Sequence, residues 1–119
     1  MAKQASDFIS QERLWTLVMD VARYGGRDDG GVDRQALSDE DIAARRHLVQ
    51  WAGERDFTVS QDGIGNLFIR RDGMEPGLEP VMTGSHLDSQ PTGGKFDGAY
   101  GVLAGLEVLD ALRDGDVVT

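Results

Sequence analysis

The apolar residues of this chain lose their helical period near residue 56 and regain it near residue 100, and that alternation limits the folds open to it. Ahead of residue 56, Leu14, Leu17, Val18 and Val21 recur at helical spacing, with Trp15 and Ala22 widening the stripe. They predict an amphipathic helix over residues 10–24, stopped by Gly25-Gly26, because glycine accepts the left-handed backbone that ends helices. Residues 25–37 are rich in Gly and Asp and read as a loop. Ser38, with Asp41 three residues on, resembles a capping box opening a second helix to about residue 55. Its stripe is thinner: Ile42, Val49 and Ala52, with Leu48 alongside.

After residue 56, the segments 57–60 and 66–70 favour β structure and flank a Gly-bearing turn at 62–65. Asp72-Gly73, Pro76-Gly77 and Pro80 punctuate a loop, and residues 81–83 read as a short strand. A glycine-rich stretch follows over residues 84–98. Val102, Leu103, Leu106, Val108 and Leu109 then predict a helix over about residues 100–113. Gly101, Ala104 and Gly105 would let that helix approach a sheet closely. The order points to an α/β domain with one sheet between helical layers. Residues 116–119 look like the start of another strand with nothing to pair with, as in a truncated chain.

Composition narrows the functions. Cysteine is absent from the 119 residues, which excludes disulfides, thiolate zinc sites and a thiol nucleophile. A formal charge of −9, from 12 basic and 21 acidic residues, argues against nucleic acid or an anionic membrane as partner. The first residues, Met1-Ala2-Lys3-Gln4-Ala5-Ser6-Asp7, are polar and do not resemble a signal peptide. No apolar run reaches the ~18 residues of a membrane-spanning helix. A cytoplasmic setting is the expectation.

The chemistry concentrates in residues 84–98, where a strand gives way to a helix, the place where open α/β sheets bind ligands. His86 and Asp88 lie two apart. In an extended segment they face the same way, so Asp88 can bend back to the far ring nitrogen of His86 and fix its tautomer for metal binding. Asp97, past the loop, has two free oxygens that could bridge a metal pair ~3.5–4 Å apart. Blander readings stand beside this one. His-x-Asp is common in loops, glycine-rich stretches are mostly turns, and Asp97 could cap the next helix. A phosphate cradle fits poorly, since no Gly-Lys-Ser/Thr follows and Lys95 is the loop's one cation.

The stretch Met82-Thr83-Gly84-Ser85-His86-Leu87-Asp88-Ser89-Gln90-Pro91-Thr92-Gly93-Gly94-Lys95-Phe96-Asp97-Gly98, continuing into Tyr100-Gly101-Val102-Leu103-Ala104-Gly105-Leu106-Glu107-Val108, resembles the hydantoinase/carbamoylase family. Arg13-Leu14-Trp15, Gly30-Gly31-Val32-Asp33-Arg34 and Gly63-Ile64-Gly65-Asn66-Leu67 extend the likeness over residues 13–112. The resemblance implies an N-terminal portion, residues 1–119, of a three-layer α/β/α metal-dependent aminopeptidase/carboxypeptidase-like catalytic domain. The rest of that domain and a dimerisation domain would be absent. It implies hydrolysis of N-carbamoyl-L-amino acids, allantoate or 3-ureidopropionate by a homodimer using two divalent ions, zinc or manganese, to activate water. His86 would bind one ion, Asp97 both, Asp88 would orient His86, and Gln90 would face the substrate. His47 matches no ligand position and reads as a helix-surface residue.

The family's general-base glutamate sits in a Glu-Glu pair on the next strand, and further histidines and a substrate arginine lie later. No adjacent Glu-Glu occurs in this chain, whose carboxylates after Asp97 are Glu107, Asp110, Asp114 and Asp116. The segment alone is therefore expected to be inactive. Alternatives are a related aminoacylase or metallopeptidase, and a non-catalytic remnant.

Overall fold

The computed structural model describes residues 3–119; Met1 and Ala2, part of the polar N-terminal stretch, lie outside the described residues. Its elements are a 3-10 turn (Ala5–Phe8), α1 (Gln11–Ala22), α2 (Asp39–Gly53), β1 (Thr58–Gln61), β2 (Leu67–Arg70) and α3 (Ala99–Asp114). Each predicted helix is present; α1 and α2 are a residue or two shorter at their ends than expected, and α3 is one residue longer at each end.

Local chemistry accounts for the boundaries. The Ser10 hydroxyl accepts the Arg13 N–H at 3.1 Å and opens α1. Gly25, at φ +80°, turns the chain after α1, and a side chain there would collide with the Asp33 carbonyl. Ser38 caps α2 by accepting the Asp41 N–H at 3.2 Å. The return bond of the expected box is displaced by one residue: the Asp41 carboxylate takes the N–H of Leu37, at 3.0 Å, rather than that of Ser38. Leu37 adopts φ +66°, which swings its N–H toward that carboxylate.

The buried face of α2 differs from the predicted stripe. Ile42 and Val49 are exposed, and the helix turns Asp41, Ala44, Leu48, Trp51 and Ala52 inward. Alanine adds little to a hydropathy pattern, yet its small side chain lets this face pack closely. On α1, Leu17, Val18 and Val21 are buried as expected, whereas Trp15 is 56% exposed and packs on Phe96, with ring centroids 6.0 Å apart.

β1 and β2 form an antiparallel hairpin with Val59 opposite Ile69 and Ser60 opposite Phe68. Asp62 organises its turn, accepting N–H groups from Asn66 at 2.8 Å and Ile64 at 3.1 Å. Val59 and Ile69 point toward the core that α1, α2 and α3 share, built around Leu17, Leu48, Trp51, Leu103 and Leu106. The α/β class holds, with this hairpin as its sheet among the described residues.

Two predicted strands do not form. Residues 81–83 are extended but unpaired, with Val81 and Met82 exposed, because no neighbouring strand runs beside them among the described residues. A strand exists only through bonds to a neighbour. Gly101 and Gly105 of α3 nevertheless lie close against Ser85 and Thr83, so the helix approaches this segment where its side chains are missing. Residues 116–119 also carry no strand; the Thr119 carbonyl accepts the Met74 N–H at 2.7 Å, and Arg71 reaches Val117 and Thr119.

Candidate functional site

Residues 86–90 run extended from the unpaired segment toward α3, and burial alternates along them. Leu87 and Ser89 are buried, while His86 and Gln90 are exposed and Asp88 is half-buried. With a period of two, His86, Asp88 and Gln90 share the outer side. Leu87 belongs to the core cluster and anchors the segment from within.

The inner side is pinned to the loop after α1. The Ser89 N–H donates to the Arg34 carbonyl at 2.7 Å, and the Ser89 hydroxyl accepts the Arg34 N–H at 2.8 Å. The same hydroxyl faces the carbonyls of Val32 at 3.1 Å and Gln90 at 2.9 Å. Val32, 1% exposed, bridges both Gly26 and Gly93. The Arg34 guanidinium, also buried, donates to the carbonyls of Leu87 at 2.8 Å, Tyr24 at 2.7 Å and Val21 at 3.1 Å. Burial pushes its pKa down, with the charges of Asp41 and Asp88 acting in the opposite sense.

His86 faces acceptors on one side only. Its Nδ1 lies 3.0 Å from the Asp88 carbonyl oxygen and 3.4 Å from an Asp88 carboxylate oxygen. Both can only accept, so in the neutral ring Nδ1 carries the proton and Nε2 keeps its lone pair. The ring rests over Gly98, where any Cβ would fall within it. Gly98 takes φ +68° and stands as the N-cap of α3 with no side-chain cap bond. Asp97, exposed, therefore does not cap the helix; its carbonyl accepts the Ala99 N–H at 2.7 Å. Because His86 sits on Gly98, it lies beside the residue next to Asp97 in the chain.

Nitrogen and carboxylate oxygen are donors suited to zinc or manganese. In number they fall short, since no group of three or more His, Asp or Glu side chains converges among the described residues. The residues present fit a divalent ion in the kind of donor they offer, not in number. Gln90 is exposed on the same side, and Lys95 and Thr92 lie in the turn that follows. His47 stays on α2, its Nδ1 3.2 Å from the Tyr24 hydroxyl. Sequence reasoning assigned no task to Arg34 or Ser89. Nothing marks them in one dimension beyond Arg34 closing the Gly30-Gly31-Val32-Asp33-Arg34 stretch.

No protein-family model matches the chain. The N-carbamoyl-L-amino-acid amidohydrolase of Rhizobium meliloti is 42% identical over 111 residues, 93% of this chain and 27% of that protein. The allantoate amidohydrolase of Bacillus subtilis (strain 168) is 38% identical over 98 residues, 79% of this chain and 23% of that protein. The crystal structure of an amidase from Burkholderia multivorans superposes with a TM-score of 0.93 at 50% identity, over 96% of this chain and 28% of that one. The chain thus spans about a quarter of the length of the relatives it matches, 27% in the first case. Sequence and backbone agree over nearly all of it, which sets the class as the α/β fold that these proteins share over the matched part. Within that class, the chain belongs to the hydantoinase/carbamoylase family.

Proposed function

We propose that this chain supplies part of the metal-binding side of an amidohydrolase that cleaves a ureido C–N bond, with N-carbamoyl-L-amino acids, allantoate and 3-ureidopropionate as the substrate class. The observation that carries this reading is the state of His86: Nδ1 is directed at Asp88, which leaves the lone pair of the neutral ring on Nε2. That is the tautomer a metal ligand needs. His86 and Asp97 would hold a pair of divalent ions, zinc or manganese. When bound, such ions supply Lewis acidity and lower the pKa of water.

The chain's own residues do the rest of what can be derived. Asp88 keeps the Nδ1 proton in place and prevents the ring from rotating. Leu87 and Ser89, buried on the inner side, keep the segment extended so that Gln90 stays on the substrate side. The general base belongs to the family's Glu-Glu pair, which this chain does not contain, so the segment alone is expected to be inactive. A homodimer in the cytoplasm goes with the reading. No helix among the described residues is long and apolar enough to cross a membrane.

The test is a turnover assay on a complete polypeptide carrying this segment, loaded with zinc or manganese. N-carbamoyl-L-amino acids, allantoate and 3-ureidopropionate are compared with N-acyl amino acids and dipeptides. Ureido turnover is expected, with a loss of roughly 10³-fold or more in His86→Ala and Asp97→Ala, the scale on which disabled catalytic groups cost activity. Preference for dipeptides, or full metal content and turnover in both variants, would overturn the reading.

A further inference from the structure

We infer that Arg34 is a positioning residue for the candidate metal site: its buried guanidinium sets the main-chain path between His86 and Asp88, and so the direction in which His86 presents Nε2. The inference rests on the proposed function above. Arg34 is 2% exposed and heads the fully buried side chains. Burying a cation is costly, and an apolar side chain of similar volume would fill the space without that cost. The guanidinium donates to no carboxylate. Its bonds run to three main-chain carbonyls, those of Leu87, Tyr24 and Val21.

Two of those carbonyls lie at the C-terminal end of α1, where the helix dipole favours a cation. The third belongs to the residue between His86 and Asp88. A side chain that only closed the helix would not reach Leu87. The main chain of Arg34 completes the clamp, bonding the Ser89 N–H at 2.7 Å and the Ser89 hydroxyl at 2.8 Å. The peptides on both sides of Asp88 are thus tied to one residue, which is itself tied to the end of α1. Asp88 in turn holds His86, so an error in the path of Leu87 passes to the imidazole.

The experiment uses NMR of a complete polypeptide carrying this segment, without metal and in a titration with manganese(II) alone. In Arg34→Met, hydrogen exchange at the Ser89 amide should speed up and the Asp88 amide signal should shift. The manganese concentration that half-broadens the His86 and Asp97 signals should rise by about 10-fold or more, the scale for partners that orient metal ligands. Arg13→Met, which strips Glu107 of its arginine on the α1–α3 side, serves as a control. It should lower the melting temperature and leave the manganese midpoint in place.

If Arg34→Met does not fold, Arg34→Lys decides. A lysine keeps the charge but lacks the fork that spans Leu87 and α1, so the same signals should change to a smaller extent. Wild-type Ser89 protection and an unchanged midpoint in a folded Arg34 variant would overturn the inference. So would an equal shift of the midpoint in Arg13→Met. His86→Ala separates the two levels. If the manganese midpoint at Asp97 is unchanged in that variant, the metal reading fails, while the metal-free signals at Asp88 and Ser89 still judge Arg34.

Discussion

Gly98 joins two requirements in one residue. It takes φ +68°, and the ring of His86 occupies the space its side chain would fill. An alanine there would carry the left-handed penalty of about 1–2 kcal/mol and would also push the imidazole away from Asp88. Gly98→Ala is therefore expected to lower the unfolding free energy by at least that amount, measured by urea denaturation. Manganese(II) broadening at His86 should weaken at the same time. A variant with unaltered His86 signals would mean that the ring does not depend on this contact. The tautomer of His86 follows from the same neighbourhood, because the Asp88 carbonyl at 3.0 Å leaves Nδ1 no role but donor.

At the level of elements, caps matter more than stripes. α2 begins where Ser38 accepts the Asp41 N–H, and three acidic residues, Asp39, Glu40 and Asp41, follow in its first turn, where the helix dipole favours them. Ser38→Ala should cost about 1 kcal/mol, the usual price of a lost N-cap. The shift in the urea midpoint checks it, and a change within a few tenths of a kcal/mol would place the boundary elsewhere. The hairpin turn has a similar local origin. Asp62 gathers the Asn66 side chain at 2.7 Å and two main-chain N–H groups, and these bonds hold its carboxyl below the ordinary range.

Across the whole molecule, ionic contacts tie the first helix to the last. Arg13 grips Glu107 with two bonds of 2.7 Å and reaches Asp114 at 2.7 Å, while Arg55 holds the buried Asp110 at 2.7 Å. Burial opposes ionisation of Asp114, yet bonds from Arg13 and Arg113 outweigh it and hold the carboxyl below its ordinary 3.8. Asp29 is held down by the Gly31 N–H and by Arg27, and Asp62 by Asn66. Each folded-state value lies below the unfolded one, so each contribution to stability is present above the ordinary 3.8 and lost as pH falls through the depressed value. Melting temperature is expected to stay level from neutrality to about pH 5 and to drop below about pH 4. A midpoint rising on acidification below that point would contradict the assignment.

The sequence by itself determined the elements whose cause is local. Ser38 marks a helix start, Gly25 marks a stop, Asp62 and Gly65 make a turn, and Leu17, Val18 and Val21 make a buried face. It also displayed His86, Asp88, Gln90 and Asp97 within one loop, since a motif is a property of the chain's order. Only the tertiary structure decided what depends on distant neighbours. It put Ala44 and Trp51, rather than Ile42 and Val49, inside; it left residues 81–83 unpaired; and it buried Arg34 against Leu87. The reason is that burial and strand pairing are relations between segments far apart in the chain, such as residues 34 and 87, and no periodicity along one segment records which other segment will come to lie against it.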